Sequence, residues 1–501
     1  MKTTICTAIQ ARLADQQAIH EYNIPSLLLM EHAAIGCTKI IQDYMQPKNT
    51  VVILCGPGNN GGDGLAIARL LNRNCLVYAP NPSIMSVDEK IQWDMLQKNE
   101  AVQFLSFEET LSSIQKADII IDALFGNGLS RPVEGNYKTL IDAANSSKAM
   151  VISIDINSGL DASTGKILNT CINSDLTLCL DCIKTGLLIN EGKKVCSKLE
   201  CIPIGIPQNI HENLKTAVLL DQKQAVQLLP KRLDHSHKGD FGKALMIGGS
   251  YSMHGAITMA AKACYKSGIG TLTCLVPDCI HDILAQKMEF AMLKTGKDHE
   301  GYFSLEALSS LSQEERKYDI VTIGNGMGKN ESTKALVQKA LQLSTCTLLD
   351  ADACWGIREH PELLKQDFPI ILTPHIKEMT YLCQKSISEI LNDPFKTVQD
   401  FCEKYPNCTM VLKSDFTLIG HQDQMYVLNQ PNSALAKGGS GDILCGIIAG
   451  IYGQCRDAFQ AASVGVYIHN SCAIQKKDPA CFMPEDLIHQ IPFVFQSLRE
   501  G

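Results

Sequence analysis

The chain has 501 residues, of which 45% are hydrophobic and 20% charged, and its formal net charge is −8. That length exceeds the ~100–200 residues of an ordinary domain, so two domains are expected, and the composition excludes a disordered chain. No Lys/Arg cluster marks a nucleic-acid footprint, no apolar run reaches the ~20 residues that span a bilayer, and polar Gln10 and Arg12 interrupt any signal-peptide core.

A cytoplasmic protein acting on small molecules, with no nucleic-acid or membrane partner, is therefore expected. The 21 cysteines fit this reading, because they are odd in number and scattered through apolar runs. Reduced thiols behave as small hydrophobes in such positions. Cys179 and Cys182 have CxxC spacing but no second pair, so a zinc or redox centre is not expected.

In the first half, β-branched runs at 51–55, 75–78, 118–122 and 150–154 read as strands. Helical periodicity lies between them, at 64–72 and 137–145. Strands alternating with helices predict a parallel, doubly wound α/β sheet, which binds ligands beyond the carboxyl ends of its strands. Three unusual loops fall at such ends. Cys55-Gly56-Pro57-Gly58-Asn59-Asn60-Gly61-Gly62-Asp63-Gly64 closes one strand and opens a helix, without the Lys-Ser/Thr of a P-loop. Its glycines allow close ligand approach, and the helix amino terminus offers N–H groups to phosphate. Asp122 precedes Gly126-Asn127-Gly128-Leu129-Ser130-Arg131-Pro132, and Asp155 precedes Asn157-Ser158-Gly159. Convergence of these loops would gather Asn60, Asp122 and Ser158, hard oxygen donors suited to an alkali or alkaline-earth ion.

This constellation resembles the NAD(P)HX epimerase family over about residues 1–215, a Rossmann-like three-layer sandwich. The resemblance implies that Asn59, Asn60, Gly61, Gly62, Asp63, the loop from Gly126 to Pro132 and Asp155 hold a hydrated nicotinamide dinucleotide. It also implies K+ at Asn60, Asp122 and Ser158. The family usually has proline where this chain has Asn157. Epimerisation at C6 of the ring breaks and remakes a bond there, and Asp155 is the candidate acid–base group.

The rhythm breaks at about 203–240, where prolines punctuate a polar stretch, and the boundary is placed near 215. A helix is expected at 222–229. Strands then resume at 243–247, 271–276, 320–323, 347–349, 370–373 and 410–419, with residues 413–417 joining two strands, and helices follow at 443–452 and 458–469. The loop Lys437-Gly438-Gly439-Ser440-Gly441-Asp442 runs into the first of these helices. Consecutive N–H groups and the helix dipole there suit a developing phosphate charge, and Asp442 beside them is placed to accept a hydroxyl proton.

Together with His237-Lys238-Gly239-Asp240, His254-Gly255-Ala256, Gly324-Asn325-Gly326 and Thr373-Pro374-His375, this loop resembles the ribokinase-like superfamily. The resemblance is to its NAD(P)HX dehydratase branch, over about 225–501. It implies that Ala256, Gly326, His375 and Asp442 contact substrate. It further implies that Lys413, Ser414, Asp415, Phe416, Thr417 and residues from Lys437 to Gly441 hold an adenine nucleotide. Asn325 stands where proline is usual, Ile376-Lys377 where Pro-Gly-type residues are common, and Ser414-Asp415 where a Gly-Ala-like pair is found. The implied reaction is phosphorylation of the ring hydroxyl of (S)-NADHX or (S)-NADPHX by ADP, rather than ATP. Phosphate then leaves, giving NAD(P)H and AMP, with Mg2+ neutralising the nucleotide. A homo-oligomer is expected.

Two other readings compete. One is a ribokinase-like kinase that phosphorylates a small molecule and stops. The other makes the amino-terminal half a non-catalytic binding module, which loss of Asp155 or of the 59–63 loop would have favoured. Both features are present.

Overall fold

In Val51–Cys55 (β1) every residue is buried, and alternate side chains enter two different cores. Val51, Ile53 and Cys55 pack with Cys37, Ile41, Leu65 and Ile67, whereas Val52 and Leu54 pack with Ile114, Leu140 and Ile141. A sheet covered by helices on both faces needs such unbroken apolar strands. The computed structural model describes residues 2–311, 318–343, 346–474 and 478–500. Contacts divide the chain into two compact units, Met1–Val218 and Leu219–Gly501.

In the first unit, β1 leads into the helix Asn59–Leu70 (α1). The strands Cys75–Tyr78 (β2), Val102–Phe104 (β3), Ile119–Ala123 (β4), Met150–Ile154 (β5), Leu176–Leu180 (β6) and Leu199–Ile202 (β7) follow. The sheet order is β3-β2-β1-β4-β5-β6-β7 and every pairing is parallel. The order reverses between β1 and β4, so the loops at 56–63 and 124–132 open on the crevice where such sheets bind ligands. Helix α1 starts at Asn59, five residues earlier than periodicity indicates, because its first turn is built from glycines that carry no apolar pattern.

The second unit contains Lys243–Ile247 (β8), the helix His254–Lys266 (α2), Thr271–Pro277 (β9), Met292–Gly296 (β10), Ile320–Ile323 (β11), Thr347–Leu349 (β12) and Ile370–Leu372 (β13). Cys408–Lys413 (β14), Thr417–His421 (β15) and Gln424–Leu428 (β16) complete its sheet, before the helices Ser440–Cys455 (α3) and Ala458–Cys472 (α4). The order is β10-β9-β8-β11-β12-β13-β14-β15-β16, parallel as far as β14 and antiparallel beyond. The apolar run at 410–419 is thus two strands of a hairpin, turned at Ser414, whose N–H donates to the Phe416 carbonyl at 3.0 Å. Helices α2, α3 and α4 share one core with Met246, Cys274 and Ile371. All 21 cysteines are free, and only Cys279 and Cys481 are exposed. Among the described residues no helix is long and apolar enough to cross a membrane.

Candidate active sites

In the first unit the loops after β1 and β4 touch backbone to backbone. A methyl group at Gly56 would lie 1.8 Å from the Leu124 carbonyl oxygen, so only glycine fits there. The Gly58 N–H donates to Glu89 Oε2 (2.8 Å), and the Ser86 hydroxyl donates to Asn59 Oδ1 (2.7 Å). Asp122, at the end of β4, is 0% exposed. Its Oδ1 accepts from Ser158 Oγ (2.5 Å) and Leu124 N–H (3.2 Å); Oδ2 accepts from Ser153 Oγ (2.8 Å) and Ser158 N–H (3.0 Å). Burial pushes the Asp122 carboxyl up, and these donors oppose that push. Both amide atoms of Asn60 are buried with no hydrogen-bond partner among the described residues.

Asp155 sits just past β5 in the left-handed region, at φ 68°. A non-glycine residue held there costs ~1–3 kcal/mol, which makes the position a functional candidate. Its N–H donates to Leu178 O (2.8 Å), and its Oδ2 accepts from Asn127 N–H (3.3 Å). Its Oδ1 is ion-paired with Lys184, whose ammonium also donates to the carbonyls of Leu180 (2.8 Å) and Cys182 (3.1 Å). Burial works against the Lys184 charge, yet the adjacent Asp155 carboxylate keeps this ammonium well above its ordinary value. Asp63 is pushed well up by burial, and further by Asp155 and Asp15. Asp15 is pushed up to about 7, chiefly by burial, with Lys184 pulling the other way.

These groups surround a cleft of about 670 Å³. Of the residues singled out in the sequence, Asn59, Asn60, Asp63, Gly126, Asn127, Gly128, Leu129, Ser130, Arg131 and Asp155 line it. Gly61 and Gly62 are buried in the first turn of α1, and Pro132 is exposed outside the lining. A methyl at Gly126 would sit 3.2 Å from Asn60 Cβ and 3.4 Å from Asp155 Oδ2, so this glycine lies between the candidate ion site and the candidate acid–base group.

In the second unit Gly439 takes φ 94° and forms the N-cap of α3. The amides that follow at Gly441 and Asp442 belong to the first turn and have no intrahelical acceptor. The Ser440 hydroxyl is buried and meets His469 Nε2 (3.1 Å). Burial holds His469 down at about 4, so the imidazole is neutral. Asp442 Oδ1 accepts from Asn325 Nδ2 (2.7 Å), and the same nitrogen donates to Asp350 Oδ2 (3.0 Å). Asp350 Oδ1 accepts from Thr373 Oγ1 (2.6 Å) and Lys413 Nζ (3.2 Å). Burial, then Asp350, raises the Asp442 carboxyl to about 6. That value suits a general base working near neutral pH.

The remaining residues singled out in this half are not equivalent. Gly326, at φ 68°, packs against Ala256, whose Cβ would lie 3.0 Å from a methyl there. His375 caps the helix Ile376–Cys383 through Nδ1, which accepts from Glu378 N–H (3.1 Å), while half its side chain stays exposed. Lys413 lies under the loop, with Nζ 3.4 Å from where a methyl on Gly441 would be. Phe416 is buried and stacks on Phe395, the Ser414 hydroxyl donates to the Phe416 carbonyl (2.7 Å), and Thr417 begins β15. Lys437 donates to the Ala480 carbonyl (2.6 Å).

Lys184, Asp15, Glu89 and the Asn325–Asp350 bridge escaped the sequence reading. Lys184, Asp15 and Glu89 are single polar residues in an apolar stretch or on a helix, outside any motif, whereas Asn325 lies in a quoted strand-end loop and only its bridge to Asp350 and Asp442 went unread. The one available signal was a charge closing the apolar run Leu178-Cys179-Leu180-Asp181-Cys182-Ile183-Lys184.

Fold and sites together define a two-unit α/β enzyme: a Rossmann-like sandwich with a cleft at its switch point, followed by a ribokinase-like unit with a glycine-rich loop at the start of α3. Residues 26–186 match the YjeF-related protein N-terminus family, and residues 244–492 match the NAD(P)H-hydrate dehydratase family. A bifunctional NAD(P)H-hydrate repair enzyme of Moorella thermoacetica is 32% identical, covering 99% of this chain and 97% of that protein. Its counterpart from Coxiella burnetii is 33% identical over 92% of each. A ribokinase-like superfamily protein of Enterococcus faecalis shares the fold over 56% of this chain and 96% of its own, with TM-score 0.50 and 24% identity. The chain belongs to the family of bifunctional NAD(P)H-hydrate repair enzymes.

Proposed function

We propose that the first unit interconverts the R and S epimers of NADHX and NADPHX, and that the second dehydrates the S epimer at the expense of ADP. The observation that carries this reading is the placement of Asp442. A carboxylate raised to about 6 stands in the first turn of α3, beside unsatisfied amides, in a chain that keeps the complete cleft of the first unit. In the second unit Asp442 accepts the proton of the ring hydroxyl as that oxygen attacks the terminal phosphorus of ADP. The bond from phosphorus to the AMP oxygen breaks, and the N–H groups of Gly441 and Asp442 take up the developing charge. The carbon–oxygen bond at C6 then breaks with its electron pair on phosphate. Loss of the C5 proton restores the ring double bond. Phosphate is a far better leaving group than hydroxide, which is why a nucleotide is consumed.

In the first unit Asp155 exchanges a proton with the substrate as the bond at C6 breaks and re-forms, and Lys184 fixes the carboxylate in its strained position. Asn60, Asp122 and Ser158 suit a potassium ion. The donors are hard oxygens, Asn60 has an orphaned amide oxygen, and the Asp122 carboxylate is buried. The ion would anchor negative charge beneath the dinucleotide. Magnesium would be carried by the nucleotide phosphates, whose charge it neutralises. Free thiols throughout agree with the cytoplasm as the working compartment.

The test is recovery of reduced-cofactor absorbance from a mixture of both epimers with ADP or ATP. Full recovery requires both activities and half recovery requires only dehydration. Phosphorylation without reduced cofactor would leave a simple kinase in place of the proposed enzyme.

A further inference from the structure

We infer that Asn325 is the positioning residue of the dehydratase site: its side-chain amide bonds Asp350 and Asp442 together and so keeps Asp442 aimed and unprotonated beside the phosphoryl-transfer loop. The inference rests on the reading of Asp442 as the base.

The geometry leaves the amide one orientation. Asn325 is 0% exposed. Its Nδ2 carries two hydrogens and meets two carboxylate oxygens, at 2.7 Å on Asp442 and 3.0 Å on Asp350. Its Oδ1 accepts from the Cys445 thiol at 3.4 Å. A flipped amide would point its oxygen at both carboxylates and its nitrogen at sulfur. The backbone is fixed as well, because the Asn325 carbonyl accepts from Gly249 N–H at 2.7 Å across the loops after β8 and β11. The donor is therefore pinned at both ends.

The surrounding charges show why a donor is needed there. Asp350 and Asp352, from the loop after β12, push the Asp442 carboxyl up; Lys413, from the end of β14, pulls it down. Lys413 is committed to Asp350 through its 3.2 Å contact. Cys445, one turn along α3, is a buried thiol held well above its ordinary value and stays neutral. Among these groups Asn325 alone hydrogen-bonds Asp442 in the described structure, and it links Asp442 to the Lys413–Asp350 pair. A hydrogen bond from a neutral donor to a buried carboxylate stabilises the charged form. Its loss raises the proton affinity of the base.

The experiment compares the full-length wild type, N325A, N325S and D442N in dehydration of (S)-NADHX with ADP, recording kcat and KM from pH 5 to 9. For N325A the acid limb of kcat moves up by about one pH unit, so kcat falls about twofold at pH 7 and roughly tenfold on the acid limb below pH 6, with the nucleotide KM nearly unchanged. N325S keeps one donor and gives a smaller shift. It also carries the test if N325A does not fold. A merely structural role would lower kcat equally at all pH values. An unmoved limb in every soluble Asn325 variant, with D442N inactive, overturns the positioning role alone. Full activity in D442N overturns the assignment of the base, and the positioning role with it.

Discussion

Replacing Lys184 with methionine removes one partner from a buried ion pair and leaves the other behind. The Lys184 side chain is 2% exposed and that of Asp155 11%, so the small values typical of solvent-exposed pairs do not apply. Stripping one partner from a buried pair costs about 3–5 kcal/mol, a large share of the ~5–15 kcal/mol that holds a domain folded. The carbonyls of Leu180 and Cys182 lose a donor in the same step. A loss of ~3 kcal/mol lowers the melting temperature of a domain this size by roughly 6–12 °C. Methionine keeps much of the lysine's length, so cavity formation adds little. The double variant Lys184→Met with Asp155→Asn leaves no unpaired charge and should recover most of the stability, since buried pairs replaced from both sides are often near neutral. The assay combines thermal unfolding of the full chain with the epimerisation rate. That rate is read as conversion of the R material remaining after the S epimer is consumed. The single variant should melt early and epimerise slowly, while the double variant should melt near the wild type and stay inactive. A Lys184→Met protein that melts with the wild type and epimerises at full rate would refute the reasoning.

Wild-type dehydration should lose about tenfold in rate per pH unit below about 6, because Asp442 works as a base only when unprotonated and its carboxyl sits at about 6. Asp442→Asn should abolish that limb and lower kcat by ~10²–10⁴. Exchanging tetramethylammonium for potassium should stimulate epimerisation by the wild type. Asn60→Ala should need roughly tenfold more potassium for half the effect, the consequence of losing about 1.4 kcal/mol from one oxygen ligand; an unchanged potassium titration would remove Asn60 from the ion site. Gly439→Ala puts a methyl 2.5 Å from Met259 Cε on a residue at φ 94°. It should cost ~1–2 kcal/mol in backbone strain alone and raise the nucleotide KM, measured by steady-state kinetics with ADP, while leaving epimerisation intact.

Much of this was legible before any coordinates. The runs at 51–55, 75–78, 243–247 and 320–323 form strands with the bounds read from pattern, because burial on both faces demands continuous apolar residues. The short strands Val102–Phe104 and Cys182–Lys184, and the amino-terminal helix Ala8–His20, were not legible. The strands have three residues each, and the helix buries only the alanines Ala11, Ala14 and Ala18, so neither gives a strong period. The site divides in the same way. Glycine-rich loops at strand ends announce themselves, whereas Lys184 reads as one more lysine until the fold buries it against Asp155.

The sequence by itself determined the layered α/β architecture, the glycine-rich turns at 56–64 and 437–442 that open helices, and the carboxylates Asp155 and Asp442 at the ends of a strand and a loop. Those properties depend on neighbours a few residues away, through periodicity, positive φ and the unsatisfied amides of a helix end. Only the tertiary structure decided which buried polar atoms meet. Lys184 reaches Asp155 across 29 positions, and Asn325 reaches Asp442 across 117. A buried polar group must find a partner, but local pattern records only that it is buried and never which partner it finds.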